Sequence, residues 1–207
     1  MMTQRLTDNI SAAAEIIRRG GLVAVPTETV YGLAANGLDE HAVEKIYDVK
    51  NRPETKPISL LVSSMGDAER FCRDIPAIAY RLAEFFWPGP LTMVLLRGGA
   101  VPDTVTAGGE TVGVRCPDHE KTLALIRAAG VPLAAPSANL SGAPSPKCAQ
   151  DVLDVFDGKI DAVIDGGVCA LGIESTVVDL TVTPPRIVRQ GGLAREDIER
   201  ALGMKIT

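Results

Sequence analysis

Four basic residues stand where a folded chain should find them costly or unusual. After Asp39, the positions Val43, Ile46, Tyr47 and Lys50 recur at i, i+3, i+4 and i+7, so a lysine occupies a helical face that should be apolar. Burying an ammonium without a partner is expensive, which leaves three outcomes: the side chain snorkels, pairs with a carboxylate, or meets a bound anion at the helix end. Arg52, just before Pro53, adds a second cation where the helix must stop, although two cations there also suit the helix dipole. Arg115 closes Val112-Gly113-Val114, and Arg189 leaves Ile187-Val188 just ahead of Gly191-Gly192. Hydroxyl and amide groups gather in two further stretches. Ser137 and Asn139 lie in the small-residue run from Ala134 to Gly142, and Ser175-Thr176 ends a glycine-rich loop that starts at Gly166. Each stretch alone reads as a turn or a surface charge. Together, cations and hydroxyls beside glycine-flanked loops describe a pocket for an anion, expected at the carboxyl ends of strands.

What the chain lacks narrows the chemistry. It has two histidines, His41 and His119, and its four cysteines at 72, 116, 148 and 169 form no C-x-x-C pair, so no metal site is expected. Neither the G-x-x-x-x-G-K-[ST] loop nor the G-x-G-x-x-G fingerprint occurs. Lys and Arg number 21 against 26 Asp and Glu, a net charge of -5, which argues against a general nucleic-acid coat and confines any basic surface to one place. Cysteine spacing and the polar start Met1-Met2-Thr3-Gln4-Arg5 favour a reduced, cytoplasmic setting. The most apolar stretch, Phe85 to Leu96, is broken by Pro88, Gly89 and Pro90, so no membrane span is expected.

The elements that must position these residues alternate along the chain. Helical spacing or capping signals predict helices from Ile10 to Gly20, from about Asp39, over Ile75–Phe86, over Thr122–Ala129, after Ser145-Pro146, and over Arg195–Leu202. Apolar runs predict strands at Leu22–Val25, Ile58–Val62, Leu91–Leu96, Val112–Val114, Leu133–Ala135, Ala162–Ile164, Thr176–Leu180 and Ile187-Val188. This alternation implies an α/β or α+β sheet covered by helices, without internal repeat or linker, and so one domain over residues 1–207. The stretch Gly98 to Gly109 has neither periodicity and is open to two readings, a lid or a solvated connector.

Seven segments in order resemble the threonylcarbamoyl-AMP synthase (YrdC-like) family. They are Pro26–Leu33 (P-T-E-T-V-Y-G-L), Lys50-Asn51-Arg52-Pro53, Trp87–Thr92, Val114–Pro117, Ser137-Ala138-Asn139, Ser175–Asp179 and Arg189-Gln190-Gly191. The resemblance implies a twisted open mixed sheet with flanking helices and a concave, positively charged cavity. It also implies a reaction of L-threonine, bicarbonate and ATP to threonylcarbamoyl-AMP and pyrophosphate, with Mg2+ accompanying the nucleotide. In that family's role the threonylcarbamoyl group passes to the adenosine beside the anticodon of tRNA, directly or through partner proteins. A carbamate formed from threonine and bicarbonate would itself attack the α-phosphorus, so no protein nucleophile is needed and catalysis rests on positioning and charge.

Carried over by motif, Lys50 and Arg52 would be the catalytic cations. ATP would be contacted by Lys50, Arg52, Thr111, Ser137, Asn139, Ser145 and Arg189, and threonine by Thr27, Arg115, Ala135 and Ser175, with Arg115 receiving the amino acid carboxylate. On this view alanine at position 50 or 52 should abolish turnover and leave the fold intact. The chain departs from many relatives in lacking a histidine in Pro57–Val62, and, stopping at Thr207, it resembles the short form without a second domain. Two competing readings are a non-catalytic RNA-binding module and a carbamoyl-transfer module like that of the hydrogenase maturation proteins.

Overall fold

The computed structural model describes residues 2–207. In chain order the elements are β1 (Gln4–Leu6), α1 (Ile10–Arg18), β2 (Val23–Val25), β3 (Gly32–Asn36), α2 (Glu40–Lys50), β4 (Leu60–Leu61), α3 (Met65–Phe71), β5 (Cys72–Arg73), α4 (Ala77–Phe86) and β6 (Leu91–Arg97). There follow α5 (Asp103–Thr106), β7 (Thr111–Arg115), α6 (Glu120–Ala129), β8 (Leu133–Ala134), α7 (Ala149–Phe156), β9 (Ala162–Ile164), β10 (Thr176–Asp179), β11 (Arg186–Arg189) and α8 (Arg195–Leu202). Side-chain caps start several helices: Asn9 Oδ1 accepts from the Ala12 N–H at 3.1 Å, Asp39 Oδ1 from Ala42 at 3.3 Å, and Ser64 Oγ from Asp67 at 3.2 Å. Helix α2 ends at Asn51, whose left-handed backbone (φ 48°) turns the chain so that Lys50 and Arg52 leave in different directions.

All strands join one mixed sheet in the order β1-β9-β2-β3-β8-β4-β7-β6-β10-β11, with β5 paired to β6. Four pairs are parallel (β1/β9, β9/β2, β4/β7, β6/β10) and five along this order are antiparallel (β2/β3, β3/β8, β8/β4, β7/β6, β10/β11). Alternate residues of Leu22–Val25, at and just before β2, serve two cores. Leu22 and Ala24 join the larger cluster with Leu33, Leu60, Met93 and Val114, while Val23 and Val25 join Ala13, Ile17, Leu125 and Leu133 beneath α1 and α6.

The structure revises several expectations. The helix expected at Ser145-Pro146 begins instead at Ala149, because the Asp151 carboxylate accepts from the backbone of Lys147 and Cys148 at 2.8 and 3.2 Å and holds the turn before it open. The Gly98–Gly109 stretch is no lid: it carries α5, buries Val101 and Val105, and is tied down by Tyr47 Oη donating to Thr104 O (2.9 Å) and Ile58 N to Val105 O (2.8 Å). Strands β1, β3 and β5 and helices α3 and α5 escape the sequence reading. No helix among the described residues is long and apolar enough to cross a membrane.

Candidate functional site

The pleat of the central strands builds the site. On β6, Leu91, Met93 and Leu95 point into the larger core, so Thr92 must point to the other face. Register carries that face sideways: Thr92 stands beside Val177 of β10, Val177 beside Arg189 of β11, and Arg115 at the end of β7 beside Leu61 of β4. Gly113 forms part of this floor, because a Cβ there would meet Ser59 Oγ at 2.6 Å and Thr92 Cγ2 at 3.2 Å. The result is a cavity of about 170 Å³ lying over a sheet face. Strand ends contribute only part of it, since in a mixed sheet carboxyl ends do not gather on one rim.

Two loops wall the cavity. In the first, Thr27 Oγ1 accepts from the N–H groups of Thr29 (3.1 Å) and Val30 (3.2 Å) and donates to Val30 O (2.7 Å), closing a tight buried turn. In the second, Ala135 N donates to Ser59 O (3.0 Å), Leu33 N to Pro136 O (2.8 Å) and Ala138 N to Tyr31 O (2.8 Å), which extends the sheet into Ser137. Ser137 Oγ then donates to Asn139 Oδ1, and Asn139 Nδ2 to Ala143 O, both at 2.5 Å.

Lys50 neither snorkels to solvent nor pairs with a carboxylate. It is 1% exposed, and its Nζ donates to the main-chain oxygens of Ser137 and Asn139, while its own carbonyl accepts from Ser141 N at 3.1 Å. Burial, reinforced by nearby Arg52, lowers its pKa from 10.5 to about 7. Lys50 thus clamps the Ser137–Ser141 loop from behind.

The arginines are held individually. Arg115 Nε donates to Gly89 O (3.1 Å), Nη1 to Thr29 Oγ1 (2.9 Å), and Nη2 lies 2.7 Å from Glu28 Oε2. Arg52 folds over its own loop, donating to Lys56 O (3.2 Å) and Pro57 O (2.8 Å). Arg189 donates to Ser175 O (2.8 Å) and Oγ (3.1 Å), and Ser175 Oγ stands 2.8 Å from Thr92 Oγ1. The loop after Arg189 doubles back on this point: a Cβ on Gly191 would lie 2.2 Å from Glu174 O, so glycine is required there. Ser145 Oγ donates to Glu174 Oε1 at 2.6 Å, which, with Arg189 and Lys147 nearby, holds the Glu174 carboxyl below its ordinary pKa.

Of the residues singled out in the sequence, Thr27, Arg52, Arg115, Ala135, Ser137, Ser175 and Arg189 line one cavity. Asn139 and Ser145 stand one hydrogen bond behind it, through Ser137 and Glu174, and Lys50 lies behind its loop. Thr111 is at the far end of β7 from Arg115, beside Leu96. Sequence reasoning missed Thr29, Ser59, Thr92 and Glu174 as lining residues, and Glu28 as the partner of Arg115. Thr29, Thr92 and Glu28 sit inside motifs already quoted. The missing signal was the pairing, which joins segments far apart in the chain.

A Sua5/YciO/YrdC family model, described as telomere recombination, matches residues 15–191. The threonylcarbamoyl-AMP synthase of Pyrococcus abyssi is 51% identical over 194 residues, which are 94% of this chain but 57% of that protein. The crystal structure of P. abyssi Sua5 complexed with L-threonine superposes with a TM-score of 0.95 at 47% identity, covering 100% of this chain and 63% of that one. That of E. coli YciO gives 0.86 at 28% identity, covering 95% and 100% respectively. With the family pattern matched from α1 to Gly191 and the sheet superposing throughout, this chain belongs to the Sua5/YciO/YrdC family.

Proposed function

We propose that the chain synthesises threonylcarbamoyl-AMP from L-threonine, bicarbonate and ATP, releasing pyrophosphate. The observation that carries this reading is one cavity in which Arg52, Arg115 and Arg189 converge with the hydroxyls of Thr27, Thr29, Ser137 and Ser175. Such a lining suits a reaction in which the substrates supply nucleophile and leaving group and the protein supplies position and charge. The threonine nitrogen takes up the bicarbonate carbon, losing water, and the resulting carbamate oxygen attacks the α-phosphorus as its bond to pyrophosphate breaks. Arg115 receives the threonine carboxylate beside Thr27, Ala135 and Ser175. Arg52, Ser137 and Arg189 face the phosphates, with Lys50, Asn139 and Ser145 fixing the loops that present them and Thr111 supporting β7.

Mg2+ belongs to the nucleotide as substrate. Among the described residues no three His, Cys, Asp or Glu side chains cluster as a metal cage, and Glu174 is the lining carboxylate that fits a phosphate-held cation. The product would serve tRNA modification beside the anticodon, in the cytoplasm, by transfer through partner proteins or directly to tRNA. The support is the name of the P. abyssi relative and the L-threonine in its solved structure, of whose lengths this chain spans 57% and 63%. The test is pyrophosphate release from ATP, Mg2+, L-threonine and bicarbonate; release that continues unchanged without threonine overturns the reading.

A further inference from the structure

The cavity's arginines differ in how their charge is met. Among the described residues, Arg52 and Arg189 have no carboxylate within ion-pair distance: their donors go to carbonyl oxygens and the Ser175 hydroxyl, and the Glu174 carboxylate near Arg189 acts on it without direct contact and is held by Ser145. Arg115 faces a carboxylate, with Nη2 2.7 Å from Glu28 Oε2 and side chains only 8% and 10% exposed. Glu28 does not line the cavity but stands behind Arg115, anchored twice. Its Oε2 accepts from Asp118 N (3.1 Å) and its main-chain oxygen from Leu171 N (2.8 Å). The contact is an ion pair without hydrogen-bond alignment: Arg115 Nη2 and Glu28 Oε1 are both buried without a hydrogen-bond partner, so Glu28 meets this guanidinium by charge rather than by an aligned bond.

A cation already met by a buried carboxylate presents little net charge to an incoming group, whereas an unpaired one draws phosphate strongly. An amino acid zwitterion is neutral overall and brings one carboxylate for an aligned guanidinium. A triphosphate brings several charges that need uncompensated cations. We propose that Glu28 is a specificity-determining positioning residue: by orienting Arg115 and cancelling its charge, it reserves that end of the cavity for the amino acid and keeps phosphate on the Arg52 and Arg189 side. The proposal rests on the function given above for its amino acid half, while its phosphate half stands on charge alone.

The test is calorimetric titration of the full chain and its E28Q and E28D variants with L-threonine and, separately, inorganic phosphate. E28Q keeps the shape and loses the charge, so phosphate should bind about tenfold more tightly and compete with L-threonine. A double variant E28Q/R115Q should lose that gain. E28D keeps the charge and shortens the reach, so it should bind L-threonine severalfold more weakly and gain no phosphate affinity. Unchanged phosphate binding in folded E28Q overturns the proposal; should E28Q not fold, unchanged L-threonine binding in E28D overturns it. A wild-type chain that ignores L-threonine contradicts the function instead, and the phosphate gain in E28Q then decides the role of Glu28 on its own.

Discussion

Replacing Lys50 by methionine keeps most of the side-chain volume and removes the one buried amine that holds the Ser137–Ser141 loop. Because burial lowers its pKa from 10.5 to about 7, the folded chain releases this proton at a pH where the unfolded chain still binds it. Unfolding therefore takes up a proton anywhere between these values, and stability rises with pH across that window. Between about pH 7 and about pH 9 the contribution comes to about 2 kcal/mol. Below the folded pKa both states are protonated and the contribution is flat. Urea unfolding of the wild type and Lys50→Met at both pH values isolates it: the wild-type advantage should grow by about 2 kcal/mol, since other groups titrate alike in both proteins. Parallel pH profiles would refute the buried, depressed amine. Lys50→Ala adds a cavity and leaves the Ser137 and Asn139 carbonyls without their donor, so it should cost about 3 kcal/mol or more in stability. An intact fold at position 50 is thus not what the structure supports.

Three other outcomes follow from the same geometry. Arg52→Ala, half-buried and bonded only to carbonyls of its own loop, should unfold within about 1 kcal/mol of wild type yet lose most ATP-dependent turnover, seen by comparing melts with pyrophosphate release. Gly191→Ala, forcing a Cβ against Glu174 O, should displace Ser175 and lower both stability and turnover, and an unchanged melt would contradict the close approach. Thr29→Val removes the hydroxyl that accepts from Arg115 Nη1 and should raise the KM for threonine while leaving that for ATP nearly unchanged, as steady-state kinetics would report.

Much of the frame is legible in the sequence where patterns are local. The i, i+3, i+4 spacing before Gly20-Gly21 marks α1, Asp39 marks the start of α2, and Arg195–Leu202 is α8 as expected. Strand β3 is invisible because Gly32-Leu33-Ala34-Ala35-Asn36 has no β-branched residue. Its small side chains are what close packing between β2 and β8 demands. At the site, the residue types are legible and the partners are not. Lys50 could be recognised as a buried cation, but its acceptors are main-chain oxygens of a distant loop, which carry no sequence signature. The Glu28–Arg115 pair is hidden for the same reason: folding, not spacing, brings it together.

The central claim concerns which atoms join, and mass spectrometry reads it directly. The chain is incubated with ATP, Mg2+, L-threonine and isotopically labelled bicarbonate, and the nucleotide products are analysed before they hydrolyse. The account predicts an adenylate carrying both threonine and the labelled carbon. An adenylate that holds threonine without the label, or ATP left unchanged, would contradict it.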